Sequence, residues 1–322
     1  MLRFLIRRIA LGLIVMLLVT MLVFGIFFIG GNQQTVAARL AGKNATQQTI
    51  NLIKHRLHLN ESVWGQYWNF IDQLVWHHNL GYSYYHSQPV STILKQAFPI
   101  TLSLALGAAF IWLVLGVLSG VLSAVRRGSI LDRVITTMAL FFYSMPTFVL
   151  GVMLLFLVSY QLQKRGIRVI PGQGYVYLTA NPTKWFESLI LPWITLALVS
   201  AATYTRLTRG SLLEVLGEDY IRTARAKGLS ERRVIFRHGL RSALTPVASQ
   251  FGIDVGVLVG GAIVTEVVFG MPGLGYTAVH SIDNGDLPVI IGIVIIASAA
   301  VVIANIAVDM VYAVLDPRVR LH

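Results

Sequence analysis

The chain contains no cysteine, so disulfide bonds, zinc–thiolate sites and a thiol nucleophile are all excluded. Acidic residues are also few, at 14 against 26 basic residues, and charged residues make up only 12% of the chain. The sequence lacks a G-x-x-x-x-G-K-[ST] phosphate loop, a G-x-S-x-G nucleophile elbow and an H-E-x-x-H metal helix. No known catalytic constellation is therefore present, and any energy-requiring activity would draw on another subunit or on an ion gradient.

Apolar residues dominate instead, at 55% of the composition with a mean hydropathy of +0.69. They come in long blocks, and a helix needs ~20 apolar residues to cross a hydrocarbon core ~30 Å thick. We therefore predict an all-α polytopic membrane protein, whose first block is retained as a helix because its apolar run is too long for a signal-peptide core. The six predicted spans are approximately Ile9–Ile29, Ile100–Val125, Val134–Tyr160, Leu189–Thr205, Val247–Phe269 and Leu287–Tyr312.

Lysine and arginine concentrate on one side of these spans. Of the 26, 17 lie in the two terminal tails and in the loops after the second and fourth spans. Because basic residues are retained on the cytoplasmic side of short loops, both termini are predicted to be cytoplasmic. The same sorting accounts for the net charge of +12, so we do not predict a nucleic-acid partner.

A long segment, 30–99, is predicted to form a small extracytoplasmic subdomain after the first helix. Asn60 is placed to cap a helix with an apolar and aromatic stripe, which suits core packing or a surface that receives a soluble partner. A helical pair, His55 and His58, could bind a metal, but without a carboxylate or thiolate nearby we expect solvated histidines and no metal site. The stripe consists of Val63, Trp64, Tyr67, Trp68, Ile71, Leu74 and Val75.

The fifth predicted span contains an acidic residue and three regularly spaced glycines. Asp254 lies well inside it without an obvious intrahelical partner, so it either lines a polar path or has a structural role. Three small residues, Gly252, Gly256 and Gly260, form a ladder that allows another helix to approach closely. Such a ladder is structural by default, and it also suits a helix at a subunit boundary. In the sixth span, Asn305 and Asp309 share one face, which favours a structural hydrogen bond.

The segment 211–246 is too polar to enter lipid yet has a helical pattern. Helical apolar spacing runs to about residue 226, and Gly228 is suited to the left-handed conformation that ends helices. Ser230 can then cap a second helix that places Arg233, Arg237 and Arg241 on one face and ends before Pro246. This helical hairpin could be a rigid docking element for a protein or a basic hairpin lying on anionic headgroups.

Motifs in this hairpin and elsewhere carry a specific resemblance. Tyr220–Gly228, followed by Leu244, Thr245 and Pro246, resembles the coupling loop of ABC-importer permeases, in the dipeptide, oligopeptide and nickel branch. The resemblance covers nearly the whole chain. Further matching segments are Met1–Ile29, Asn79–Ser83, Pro89–Val90, Asp132, Ser144–Phe148, Leu191–Pro192, Glu266–Gly275, Asp286–Pro288, Asn305, Asp309, Tyr312 and Asp316–Arg318.

The resemblance implies a six-helix permease of the type I importer fold, divided into a first helix (1–29), the subdomain (30–99) and a core (100–322) that carries the coupling loop 211–246. It implies as partners a second permease subunit, two cytosolic ATPases that hold ATP and magnesium, an extracytoplasmic binding protein, a peptide substrate and membrane lipid, with no cofactor on this chain. The residues implied to dock an ATPase are Glu218, Asp219, Tyr220, Arg222, Thr223, Ala224, Arg225, Ala226, Lys227 and Gly228. The candidate path and gate residues are Asp254, Glu266, Phe269, Pro272 and Gly273.

The sequence departs from the family pattern at three places. Arg222–Ala224 replaces the triplet that names the loop, so its glutamate is missing, and Arg241 and Ser62 occupy positions where relatives carry proline. Within the family, nickel, glutathione or haem are alternative substrates. From other classes, a stand-alone channel or gradient-driven carrier would work without an ATPase, and an intramembrane enzyme lacks a catalytic set.

Overall fold

The computed structural model describes residues 2–26, 35–38, 46–56, 61–166, 171–259 and 262–315. It confirms the all-α prediction, because the strands in the described part of the chain form only one two-stranded antiparallel hairpin. The elements before the core are α1 (Leu2–Phe24), α2 (Gln47–Arg56), α3 (Val63–Val75), β1 (Tyr82–Ser83) and β2 (Gln88–Pro89). The core helices are α4 (Val90–Val125), α5 (Ile130–Ser144), α6 (Thr147–Lys164), α7 (Pro182–Leu216), α8 (Asp219–Ala226), α9 (Glu231–Arg233), α10 (Leu240–Val259), α11 (Ile263–Val268), α12 (Leu274–Asn284) and α13 (Leu287–Leu315).

Five helices among the described residues are long and apolar enough to cross a membrane: Ile6–Phe24, Val90–Val125, Thr147–Lys164, Pro182–Leu216 and Leu287–Ala307. The predicted third span, Val134–Tyr160, is wrong as one helix. Proline has no N–H to donate and disfavours a helical conformation in the residue before it. The helix is therefore interrupted at Met145 and Pro146, between α5 and α6. The fifth predicted span is likewise divided, into α10 and the short α11.

The second and fourth spans are longer than predicted. α4 begins ten residues before Ile100, and α7 extends from Pro182 through the polar residues that follow Thr205. Both contain an internal proline, Pro99 and Pro192 respectively. Hydropathy delimits the apolar part of a helix but not its polar ends, because the backbone hydrogen bonds continue there in water.

The α4–α7 pair forms the centre of the core. Trp112 and Tyr204 are fully buried between the two helices, with ring centroids 6.1 Å apart. Gly116 makes this approach possible: a Cβ there would lie 2.3 Å from the Tyr204 Cβ, closer than any real contact. Gly107, also on α4, is tighter still, because a Cβ there would lie 2.1 Å from the Trp193 ring of α7, and neither glycine was singled out from the sequence.

Helix α3, in the segment between the first two spans, packs differently from the prediction. Its N-cap is Ser62, whose hydroxyl accepts a hydrogen bond from the Gly65 amide, and Asn60 lies outside the described residues. Tyr67 packs edge-on against Phe24 of α1, with centroids 5.3 Å apart, whereas Trp64 and Trp68 are exposed. The buried face thus runs through Tyr67, Phe70 and Leu74, and the exposed tryptophans leave part of the predicted apolar stripe uncovered.

Candidate functional site

The helical hairpin, within the segment 211–246, is built on a small apolar cluster. Ile221 and Ala224 form the buried face of α8 and pack with Val234 and Leu216, at the end of α7. Spacing of three residues puts both side chains on one face of a helix, and the remaining positions point outward. The hairpin is therefore fixed to the end of α7 rather than tethered loosely to it.

The outward face of α8 carries most of the residues that the sequence singled out for docking. Tyr220 is exposed, and its hydroxyl lies 3.2 Å from the Ser242 hydroxyl at the start of α10. Arg225 donates to Glu231 at 2.7 Å and ties α8 to α9. The exposed residues of this set are Glu218, Asp219, Tyr220, Arg222, Thr223, Arg225, Ala226, Lys227 and Gly228, whereas Ala224 is buried.

The turn of the hairpin follows the sequence prediction at one residue and departs from it at others. Gly228 has φ +77°, in the left-handed region, and no atom lies within 4 Å of a built Cβ. Ser230 occupies the N-cap position, but its side chain makes no capping hydrogen bond. The second helix does not end before Pro246: after one π-helical turn it continues as α10, with Pro246 inside.

A buried ion pair anchors the same end of α7. Arg209 donates from Nε and from a terminal nitrogen to both oxygens of Asp132, at 2.8 and 2.9 Å. Ser123 of α4 and the Gly128 amide also donate to this carboxylate. These hydrogen bonds, that from Arg209 foremost, hold the pKa of Asp132 well below its usual range. The cluster locks α4, α5 and α7 together beneath the hairpin.

A second polar cluster centres on Glu266, one of the candidate gate residues. The carboxylate is fully buried, accepts a 2.6 Å hydrogen bond from the Thr101 hydroxyl, and accepts another at 2.9 Å from the Tyr276 amide. The Thr101 oxygen in turn accepts from the Leu274 amide at 2.8 Å. Since these amides belong to the first turn of α12, Glu266 and Thr101 together satisfy a helix start that otherwise has no capping side chain.

The other candidate gate residues lie in the turn between α11 and α12. Phe269 is buried, and its carbonyl accepts a hydrogen bond from the Gly174 amide at 2.9 Å. At Gly273 a Cβ would lie 2.5 Å from the Glu266 carboxyl carbon, so only glycine leaves room for the carboxylate. Pro272 faces a cavity of about 370 Å³. The sequence motif is thus explained by a tight turn folded around one buried carboxylate.

The β-hairpin also lines this cavity, through Tyr85, His86 and Gln88. His86 lies at the cavity and, through Nδ1, 3.0 Å from the buried carboxylate of Asp286; Ser83 donates to the same oxygen. This links the β-hairpin to the start of α13, across 200 residues of sequence. From the sequence, Ser83 and Asp286 are visible only as parts of motifs, and no pattern links either of them to His86.

Asp254 has two partners, so the expectation of no intrahelical partner is wrong. Gln250, one turn earlier on α10, donates to Oδ1 at 2.9 Å, and the Tyr204 hydroxyl of α7 donates to Oδ2 at 2.9 Å. The spacing of four residues was a readable signal for Gln250. The carboxylate is only half-buried.

The glycine ladder of α10 is described in part. Gly252 and Gly256 are buried. Gly256 lies against α13 of the same chain, where a Cβ would meet Asn305 and Val301 at ordinary contact distances of 3.6 and 3.7 Å. Gly260 lies outside the described residues, as does the side chain of Asp309, so the predicted contact between Asn305 and Asp309 does too.

Within the described ranges, no group of three or more histidine, aspartate or glutamate side chains is placed to hold a metal ion. His55 is exposed on α2, and His58 lies outside the described residues.

Comparisons with known proteins define the class. Residues 113–321 match the family described as binding-protein-dependent transport system inner membrane component, and residues 1–105 match the N-terminal region of the same components. The chain belongs to this family of multi-pass inner-membrane permease subunits, which are transport components rather than enzymes.

Individual relatives narrow the branch. The chain is 36% identical to a probable peptide ABC transporter permease of Sinorhizobium fredii, over 98% of this chain and 99% of that protein. It is 37% identical to the dipeptide transport system permease protein DppB of Escherichia coli K12, over 99% of each chain. A solved structure of the MetNI methionine ABC transporter aligns with a TM-score of 0.52 at 22% identity, over 70% of this chain and 97% of that chain, which shows the shared type I fold.

Proposed function

We propose that this chain is the permease subunit of an ATP-driven importer of dipeptides or other short peptides. The names of its full-length relatives support the substrate class. The hairpin carries the proposal for coupling, because its exposed face is fixed by Ile221 and Ala224 to the end of a 35-residue helix that runs through the core. A rigid attachment of this kind can transmit movement from a docked protein to the core, whereas a hairpin that binds lipid headgroups does not need a rigid attachment.

In this mechanism the chain does no chemistry. A second permease completes the path, two cytosolic ATPases bind ATP and magnesium, and a binding protein delivers the peptide on the outer side. Both termini and the hairpin are cytoplasmic, consistent with the distribution of basic residues. ATP-driven closure of the ATPases displaces the docked face of α8, and α7 carries that displacement to the gate around Glu266.

The distinguishing experiment measures uptake of a labelled dipeptide by cells that lack this protein, with and without complementation. Gly228→Val is the coupling variant, because a branched side chain at φ +77° is strained by ~1–2 kcal/mol or more even though the space is open. Gly210→Val is the matched control, since Gly210 also has open space around it but an ordinary helical φ. We expect the transporter that contains Gly228→Val to hydrolyse ATP without importing the dipeptide, and the transporter that contains Gly210→Val to import it.

Parallel probes separate the alternatives. Normal uptake by Gly228→Val at normal expression would remove the hairpin from the mechanism and favour a stand-alone carrier. Unaffected dipeptide uptake in cells that lack the chain, with loss of nickel or longer-peptide uptake, would keep the architecture and move the substrate to another branch of the family.

A further inference from the structure

Asp254 places a half-buried carboxylate in the later part of α10, with an unusual set of neighbours. It lies on α10 ~21 Å from Leu240, at ~1.5 Å per residue. It is therefore well separated along the helix from the basic hairpin, which precedes Leu240. Both contacts to its oxygens come from neutral donors, the Tyr204 hydroxyl and the Gln250 amide. None of the ion pairs made by the described residues includes Asp254, so those residues orient its charge without balancing it.

The Tyr204 hydroxyl is held in place by its own packing. Its ring is fully buried, with centroids 6.1 Å from Trp112 and 6.4 Å from Phe251. Phe251 is also on α10, one turn from Asp254, so the same aromatic cluster fixes both helices. The carboxylate is therefore preorganised, with two of its oxygen lone pairs in use and the others available.

The open side of this carboxylate cannot face lipid. Asp254 is half-buried, and its neighbours Ile253 and Val257 are exposed by 58% and 67% on the adjoining surface of α10. A charged group facing hydrocarbon is costly, so membrane proteins direct such groups to other protein or to a watery path. In the assembled permease pair this surface of α10 therefore meets the second subunit or the translocation path.

We propose that Asp254 is a subsite of the translocation path that takes the ammonium group of the passing peptide. This inference rests on the proposed peptide-import function. A primary ammonium supplies what the site lacks: a positive charge, and donors for the unused lone pairs, in charge-assisted hydrogen bonds of ~2.7–2.9 Å. Every free peptide carries this group at its amino terminus, so the subsite accepts peptides of different side chains while disfavouring anions.

The test uses the complete transporter in proteoliposomes, with its binding protein outside and ATP inside. Initial uptake rates are measured for two labelled probes, a dipeptide of glycine, whose only ammonium is terminal, and a lysine-containing dipeptide. The variants are Asp254→Asn, which removes the charge at constant shape, Asp254→Glu, which keeps it, and Tyr204→Phe, which removes one hydrogen bond to the same carboxylate. Subunit co-purification and thermal stability are recorded for each.

We expect Asp254→Asn to lower the maximal uptake rate of both probes about tenfold, the effect of one charge-assisted contact, with assembly unchanged. Asp254→Glu should recover most of the rate, and Tyr204→Phe should lose far less than Asp254→Asn. Equal rates for Asp254→Asn and wild type would overturn the inference, as would a loss confined to the lysine peptide. Loss of subunit co-purification would also overturn it, because the carboxylate would then pair with a cation of the second permease. Failure of the wild type to import either probe would instead overturn the peptide function itself.

Discussion

The buried carboxylate of Glu266 allows a direct test of how the turn between α11 and α12 is held. In the variant Glu266→Gln, one terminal atom remains an acceptor for the Thr101 hydroxyl. The other becomes an NH₂ group that faces the Tyr276 amide, which is itself a donor. Both oxygens of the glutamate are acceptors in the native arrangement, so the amide cannot reproduce it in either orientation.

The magnitude follows from the lost hydrogen bond. Leaving a buried amide donor without an acceptor costs about 1–3 kcal/mol, so Glu266→Gln should destabilise the native state by that amount. Glu266→Ala leaves both donors unsatisfied and adds a cavity, so the same reasoning gives about 3–5 kcal/mol. The order of the two variants is as informative as their size.

The assay is thermal unfolding of the purified assembled complex, paired with ATP hydrolysis in the absence of binding protein. Asp283→Asn is the matched control, an exposed carboxylate on the same α12. We expect a lower midpoint for both Glu266 variants and raised unstimulated hydrolysis, because a loosened outer turn no longer resists opening. Wild-type midpoint and hydrolysis in Glu266→Gln, alongside an unchanged control, would refute the account of this turn.

Two further predictions concern packing and charge. Gly116→Ala should destabilise the complex by about 1–3 kcal/mol, because the added Cβ cannot fit against Tyr204. Gly256→Ala should be neutral or stabilising, because its Cβ would make only ordinary contacts. The thermal unfolding midpoints of the two variants test this difference. Asp132→Asn should lower stability equally from pH 5 to 8, because a carboxyl with a depressed folded pKa contributes fully above its unfolded value and loses that contribution only as pH falls below it. A penalty that instead varied across this range would contradict the ion-pair assignment.

Local patterns predicted the local features of this fold. Apolar runs located most of the spans, and Gly228 marked the turn of the hairpin, because both depend on neighbouring residues only. Contacts between distant segments were not predictable in this way. Thr101 and Glu266 are 165 residues apart, and Arg209 and Asp132 are 77 apart. A buried partner at that separation leaves no periodicity in the sequence, so these pairings could not be predicted from it, and the gate role of Glu266 stays a prediction that rests on resemblance.

The two polar clusters lie at opposite ends of one packed pair of helices. α4 carries Thr101 at the Glu266 cluster and Ser123 at the Asp132–Arg209 ion pair, ~33 Å apart at ~1.5 Å per residue. α7 carries Arg209 and ends at the hairpin, and the two helices interlock at Gly116. Close-packed interfaces of this kind shift between discrete arrangements rather than deform, so we expect α4 and α7 to move as one body.

This expectation is measurable because the chain has no native cysteine to compete with introduced labels. Spin labels at Leu106→Cys on α4 and Phe186→Cys on α7, both exposed positions, report the distance between the outer parts of the two helices. The distance distribution should be the same in the nucleotide-free and ATP-bound transporter. A second pair, at Leu106→Cys and Val152→Cys on α6, should differ between the two states, because Met145 and Pro146 free α6 from α5. A distribution that shifts for the first pair would show that α4 slides along α7, and the hairpin would then have to reach the gate by another route.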